Sequence, residues 1–427
     1  MKKVEFIETE KYLYITPFFP YPSGAGLHCG HWYNYAILDS YCRYKRYQGH
    51  NVFQPFGMDA FGLPAENYAK KIGGYPREVT YNNISKFRKQ MEQMNTQYEE
   101  ILITSDNNYI EHTQWLFKKL YDNGLAYKKD GEVDFCKSCD TVLAKEQVKS
   151  NKCERCSFEI EKKVLNQWYF KITDYKDRLI NGLNNIDFPE HTKKAQRNWL
   201  ENQHDWCISR QRRWGCPIPI DGETDTMDTF VDSSIYTIIY CIMKGIKPKP
   251  VDLYVGGNEH SCMHLIYIRF ITMFLYDIGF IDFEEPIVKL IHQGMILNKG
   301  EKMSKSKDNA VSLDGYDSDE IRFYLMFIGH YFDGGSWNDE NIIGIRRFIN
   351  KMITWLKKDG DDIIDIDEFK ETIFNYTEAF KFNKVVSSFM IFLNKNKNKS
   401  LSSDYKEELI KLIEIYMPNF RNKIISL

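Results

Sequence analysis

Two short stretches carry residue types able to manage a polyphosphate. Near the start, the apolar run YLYITPFF gives way to the turn PYPSGAGLHCGH, which holds His28 and His31. A strand ending in such a turn and running into a helix gathers backbone N–H groups and the positive helix end at one point, which suits phosphate oxygens. Two imidazoles there would add side-chain donors for charge building on an α-phosphate under attack, with no covalent step. Alone, a His-x-Gly-His reads equally as a helix whose first turn happens to carry histidines. Far downstream, GEKMSKSKDN sets Lys302, Lys305 and Lys307 among serines behind a glycine. Lysines on a pliable loop can clamp β- and γ-phosphates as they part, although a lysine-serine run by itself is an ordinary solvated face. The two stretches together, in this order, form a specific pair.

A different chemistry is written at Cys136-x2-Cys139 and Cys153-x2-Cys156, two knuckles 13 residues apart. Four thiolates so spaced can reach one tetrahedral Zn²⁺ in a closed structural site, the alternative being four free buried thiols. Cys29, Cys42, Cys207, Cys216, Cys241 and Cys262 sit mostly in apolar contexts, where free cysteine behaves as a small hydrophobe. Ten cysteines in 427 residues, so unevenly placed, exclude a secreted disulfide framework.

These residues need a scaffold. YLYITPFF reads as a buried strand, followed by a helix from about His31 to Tyr47, a short strand NVFQPF, and a turn GMDAFGLPAE that opens another helix. The β-α-β pattern recurs in VDLYVGG, a helix through HLIYIRFITMFLYDIG, and the strand-like IVKLIHQGMIL. Two such halves separated by about 150 residues predict one nucleotide-binding α/β fold, split by an insertion, with ligands at the carboxyl ends of a parallel sheet. Residues 130 to 165, polar and cysteine-bearing, read as a module held by a metal instead of a core. From about 340 the pattern turns helical in NIIGIRRFINKMITWLKK, IDEFKETIFNYTEAFKF and YKEELIKLIEIYMPNF, with NKNKNKS at 394 to 400 as a polar loop between helices.

Composition narrows the function classes. Hydrophobic residues at 43% and charged residues at 27% are globular values, and no apolar stretch approaches the roughly 20 residues of a membrane span, so no membrane partner is expected. MKKVEFIETEKYLYI carries acidic residues where a signal peptide would be apolar, which places the protein in the cytoplasm. A net charge of −2 leaves nucleic-acid contact to local patches.

The histidine and lysine stretches resemble the paired signatures of class I aminoacyl-tRNA synthetases. FPYPSGAGLHCGH, FGMDAFGLPAENYA, QRNW, SRQRRWGCPIPI, TMDTFVDSSIY and YVGGNEHSCMHLIYIRF narrow the resemblance to leucyl-tRNA synthetase, over residues 10 to 340 or so. The resemblance implies an α/β fold: a class I Rossmann-like parallel sheet split by a zinc-bearing insertion, with a C-terminal α-helical domain. It divides the chain into a first catalytic half (1–125), a zinc module (126–166), a helical connector (167–205), a second catalytic half (206–298), a lysine-loop and stem-contact region (299–340) and a short helical domain (341–427).

The family's roles carry over at matching positions. His28, His31, Lys302 and Lys305 would bind the triphosphate and act in catalysis, with Gly30 and Ser304 beside them on the ATP side. Gly256, Gly257, Glu259 and His264 match the adenosine-ribose side, and Met295 and Ile296 the backbone that meets adenine. Asp59 would receive the leucine ammonium. Phe18, Tyr21, Phe230, Ser233, Tyr236 and His260 would line the side-chain pocket, and the Phe19 backbone would hold the amino acid. The implied reaction is attack of the leucine carboxylate on the ATP α-phosphate, giving leucyl-AMP and pyrophosphate, with Mg²⁺ on the phosphates. No general base is needed, because the nucleophile is already ionised. The zinc module also has a counterpart in the family.

Several features depart from the family. QRNWLENQHDWCISRQRRWG runs from Gln196 to Arg210 with only a few residues where the family inserts a large editing domain, so that domain is expected to be absent. No leucine-specific insertion precedes the lysine loop, and fewer than 90 residues follow position 340, so most of the tRNA-gripping apparatus is expected to be missing. Phe18 stands where methionine is usual, which predicts a smaller or differently shaped cavity. Without editing, such a pocket discriminates a missing methylene only roughly 10- to 200-fold. Lys193, Lys194, Arg197, Arg210, Arg212 and Arg213 flank the lost insertion. The last three are the candidate contacts for a tRNA acceptor end or another acceptor, a solvated basic surface being the plainer reading. The acceptor is therefore either tRNA or a small amine, amino acid or carrier protein. A silent binder would have no need of both histidines and both lysines.

Overall fold

The computed structural model describes residues 11–22, 26–143, 148–154, 156–303, 311, 313 and 315–426. The strand Leu13–Pro17 pairs in parallel with Val52–Phe53 on one side and Val251–Gly256 on the other, and Ile287–His292 pairs in parallel beyond that. After Gln54 the chain continues as Pro55–Met58, which pairs in parallel with Glu99–Ile103, while the Thr16 hydroxyl donates to the Pro55 carbonyl at 3.0 Å. The two strands that meet at the middle, in the register Ile15 to Leu253, thus come from distant halves of the sequence.

Each half is a strand, a crossover helix and a parallel strand, as the sequence predicts. Cys29–Tyr47 is the first crossover helix and His264–Asp277 the second. Alternation along the strands sends Ile15, Val52, Leu253, Val255 and Ile291 into one apolar cluster with Trp32 and Ile37. Tyr14, Phe53, Tyr254 and Leu290 enter a second cluster with Ile268 and Phe274. A parallel sheet has to be covered on both faces, and these clusters are its two covers.

IVKLIHQGMIL is not one strand. It breaks at Gln293–Gly294 into Ile287–His292 and Met295–Asn298, and the second piece joins another sheet, pairing in parallel with Gly334–Ser336. Gly294 makes the break because a Cβ there would collide with the backbone of Asp333 and Gly334.

The insertion is a long antiparallel ribbon, Ala126–Cys136 against Glu161–Phe170, flanked by Thr141–Leu143 and Trp206–Cys207. Between its return and Trp206 lies the helix Glu190–Glu201. Beyond residue 338 come the helices Asp339–Leu356, Asp367–Glu378, Phe382–Asn396, Ser403–Tyr416 and Phe420–Ser426. NKNKNKS is not wholly a loop. Its first residues end a helix, where Asn396 is buried and donates to the Phe392 carbonyl.

These helices share the first cluster, which runs from Trp32 and Tyr41 to Phe389, Tyr416 and Phe420. At its centre the fully buried Arg322 donates to Asp39 Oδ2 and Ser40 Oγ, each at 2.8 Å, and to the Met94 and Tyr416 carbonyls. Burial alone would push the Asp39 carboxyl up, but the Arg43 and Arg322 guanidiniums, with the Gln97 N–H, bring it down to about 2. A depressed carboxyl gives stability that is present above its unfolded value and lost as pH falls through about 2. Arg322→Met strips one partner from a buried pair, so it should destabilise the fold by about 3–5 kcal/mol in urea denaturation. A change below about 1 kcal/mol would show that the pair is not needed.

Candidate active site

A cavity of about 700 Å³ opens at the carboxyl ends of three neighbouring strands. Phe18–Tyr21 follow Leu13–Pro17, Gly257–His260 follow Val251–Gly256, and Gln293–Ile296 follow Ile287–His292; all of them line it. His28, Gly30, His31, Asn34 and Tyr35 enter from the helix Cys29–Tyr47, and Met303 from the lysine loop. Ligands of open α/β sheets bind at such a crevice.

His28 is the N-cap of its helix. Its Nδ1 accepts from the Gly30 N–H at 3.0 Å, while its own N–H donates to His31 Nδ1 at 3.2 Å. With both Nδ1 atoms accepting backbone protons, each ring carries its proton on Nε2, so each offers one N–H donor. A Cβ at Gly30 would press on the His28 ring, which is why glycine sits between the histidines. Gln90 fixes the turn before them, accepting from the Leu27 N–H at 2.6 Å and donating to the Leu27 carbonyl.

Glu301–Lys302 pairs with Leu297 and Asn298, so the backbone at Lys302 lies beside the strand that carries Met295 and Ile296. The Met303 N–H reaches the Ile296 carbonyl at 3.4 Å. Ser304 and Lys305 lie outside the described residues. Gly256 ends its strand beneath Phe18, and a Cβ there would run into the Phe18 ring.

A second, smaller cavity of about 20 Å³ adjoins the first. It is lined by Phe18, Phe19, Tyr21, Asp59, Ser233, Tyr236, His260 and His264, and the first three and His260 also line the larger one. A space of that size holds about one water. The aromatic rings crowd it, with Phe19 and Tyr236 centroids 3.4 Å apart and Phe18 4.5 Å from Tyr254, so an aliphatic side chain enters only if rings move aside.

Asp59 is 2% exposed. Burial pushes its carboxyl up to about 7, and the Asp228 charge adds to this, while the Thr229 and Thr104 hydroxyls oppose it. Its turn is pinned by the Asp59 N–H to Pro20, by the Trp214 indole to the Ala60 carbonyl at 2.7 Å, and by the Ala60 N–H to Thr104.

His264 is expected on the ribose side but stands in the smaller cavity. Its Nε2 is 2.8 Å from the Tyr254 hydroxyl and its Nδ1 3.2 Å from Ser233 Oγ, because it opens its helix facing the sheet's second cluster. Phe230 lines neither cavity; its ring sits behind them, edge-on to His260 at 6.4 Å and tilted against Tyr267 at 5.7 Å. Arg210, expected among the acceptor contacts, is turned away from the surface. It is buried, ion-paired with Asp228, and donates to the Cys207 and Ser209 carbonyls. Arg212 Nε donates to Thr141 of the ribbon at 3.1 Å, and Arg213 is exposed. The residue types alone did not reveal Asn34, Gln293, Asp333 or Thr229, whose hydroxyl donates to Asp59 at 2.9 Å.

At the ribbon's far end the Cys136, Cys139, Cys153 and Cys156 sulfurs lie within 4.8 Å of one another. Four sulfurs about 2.3 Å from a tetrahedral ion lie at comparable mutual distances, so the set fits Zn²⁺ with no open position. The apolar clusters around it are tiny, Val133, Phe135 and Val142 in one and Leu143 with two of the cysteines in the other. Metal analysis should find one Zn²⁺ per chain. Chelation should open the ribbon tip to protease while leaving the main thermal transition in place, because a structural zinc contributes roughly 10–16 kcal/mol locally. A tip that stays resistant after chelation would rule the metal out as its support.

The family described as "tRNA synthetases class I (M)" matches residues 13–354, and the chain belongs to it. Within that family it is 30% identical to the leucine-tRNA ligase of Clostridium kluyveri, over 97% of this chain and 86% of the relative. It is likewise 30% identical to that of Clostridium tetani, over 96% and 85%. The first alignment runs over 693 positions against the 427 residues of this chain, so long stretches of the relative face gaps inside the matched span. The structure of the agnB2 LeuRS of Agrobacterium radiobacter K84, solved with tRNA and LeuAMS, superposes with a TM-score of 0.88 at 23% identity, covering 99% of this chain and 86% of that one. The methionyl-tRNA synthetase of Mycobacterium tuberculosis, solved with methionyl-adenylate, gives 0.76 at 19%, covering 98% and 94%. Both carry the same fold. Among the described residues no helix is long and apolar enough to cross a membrane.

Proposed function

We propose that the chain activates leucine, or a close analogue, with ATP, forming aminoacyl-adenylate and releasing pyrophosphate, and then passes the acyl group to tRNA. One observation carries this reading: the Asp59 cavity and the histidine cavity share Phe18, Phe19, Tyr21 and His260 as walls. An amino acid with its ammonium at Asp59 would have its carboxylate at that shared wall, facing a nucleotide whose phosphates lie along His28 and His31. Gly257 and Glu259 would take the ribose, Met295 and Ile296 the adenine, and Lys302 and Lys305 the departing pyrophosphate. Mg²⁺ bound to the phosphates supplies charge neutralisation. The residues themselves act by holding the reactants in line and by donating hydrogen bonds to developing charge.

tRNA as the acceptor is supported by the relatives, which are leucine-tRNA ligases. Nothing in the geometry favours a small amine or a carrier protein over it. ATP–pyrophosphate exchange with each amino acid, followed by acylation with and without total tRNA, tests both halves. Leucine-dependent exchange and tRNA-dependent acylation are expected. Exchange with no amino acid at all would overturn the activation, and acyl transfer indifferent to tRNA would overturn the acceptor.

A further inference from the structure

The helix Glu190–Glu201 lines neither cavity, yet it grips the loop Gly256–Ser261 at both ends and at its middle. At the first residue, His292 Nδ1 lies 2.9 Å from the Gly256 carbonyl and His292 Nε2 lies 2.8 Å from the Thr192 hydroxyl. A carbonyl only accepts, so Nδ1 carries the proton and the Thr192 hydroxyl donates to Nε2; Thr192 and His292 are both buried. In the middle, His191 Nε2 meets Asn258 Oδ1 at 3.1 Å. At the last residue, Gln196 Nε2 donates to the Ser261 carbonyl at 2.9 Å.

The Gln196 amide cannot turn over. Its Oε1 accepts from Arg269 Nη1 at 2.9 Å, and Arg269 is locked by Glu285 and by the Leu179 carbonyl. A flipped amide would point its NH₂ at the guanidinium. The loop so held contributes Gly257, Asn258, Glu259 and His260 to the larger cavity.

We propose that Thr192, His292 and Gln196 are positioning residues for the nucleotide, setting the place of the loop that receives its ribose. This rests on the reading above that Gly257 and Glu259 take the ribose. The clamp bears chiefly on ATP, because Gly257, Asn258 and Glu259 of the loop line the larger cavity alone and only His260 is shared with the Asp59 compartment.

Thr192→Val keeps the shape and removes the hydroxyl, leaving a buried imidazole nitrogen without its donor. ATP affinity by equilibrium dialysis and the KM for ATP in exchange should each weaken about tenfold, with kcat and the KM for leucine within about twofold. Thr192→Ser should restore both, and Gln196→Met should weaken ATP in the same way. Unchanged ATP affinity in Thr192→Val and Gln196→Met overturns the proposal. So does an equal rise in both KM values accompanied by a lowered melting temperature, since that is what a merely structural role would give. A wild-type chain that binds ATP without exchanging it would undo the proposed reaction instead, while the dialysis comparison still decides the clamp.

Discussion

Asp59→Ala is expected to cut leucine-dependent ATP–pyrophosphate exchange by roughly 10²- to 10³-fold, almost all of it as a higher KM for the amino acid. Asp59 is the one carboxylate lining the smaller cavity among the described residues, and aromatic rings surround it. An ammonium entering that space leaves water behind, and only an ionised carboxylate compensates it. The same burial gives the reaction a pH signature. With its carboxyl pushed up to about 7, Asp59 is protonated in the empty site below that pH and must release its proton when the ammonium arrives. The groups facing it are Asp228, itself tied to Arg210, and the Thr229 and Thr104 hydroxyls; Asp232 is a further buried carboxylate nearby, also pushed up by burial and by Asp59. The KM for leucine should therefore fall as pH rises through about 7 and level off above it, whereas Asp59→Asn should give a high and flat KM. A wild-type KM that does not respond to pH across neutrality would contradict this environment for the carboxyl.

His31→Ala should lower kcat for adenylate formation by about 10²- to 10³-fold, the usual loss when one fixed donor to a charged transition state is removed. The His31 side chain also closes the reciprocal cap of its helix, and losing a cap costs only about 1 kcal/mol. The drop in rate should thus far exceed any change in melting temperature. His31→Gln keeps an amide donor close to the Nε2 position and should recover part of the rate. Single-turnover adenylate formation, read beside a thermal melt, separates the two effects. A rate within a few-fold of wild type would remove His31 from the chemistry.

The scaffold was legible where the residue pattern is local. YLYITPFF and VDLYVGG are apolar runs ended by turns, and each became a strand whose carboxyl end feeds the site. The break at Gly294 was not legible, because its cause is the backbone of residues 333 and 334, some forty positions away. The helix Phe382–Asn396 was hidden by its polar end, since Asn394 and Lys395 read as loop residues although packing of Phe389 and Leu393 carries the helix past them. Within the site, the histidines announce themselves by type and spacing, but Asp59 and Tyr236 are ordinary residues until the fold brings three distant segments together. The placement of Arg210 was hidden for the same reason. The residue stands in a basic run, and only the fold shows its charge turned inward to Asp228.

One interior extends from Trp32, next to His31, to Tyr416 and Phe420. During synthesis the first βαβ half therefore emerges with one flank bare; residues 318–327 cover part of it, and the helices around 403–426 complete the cover last. A nascent chain halted near residue 340, with the histidines, the lysine loop and every strand of the main sheet already made, would still expose the apolar surface that residues such as Phe389, Leu412 and Tyr416 cover in the finished fold.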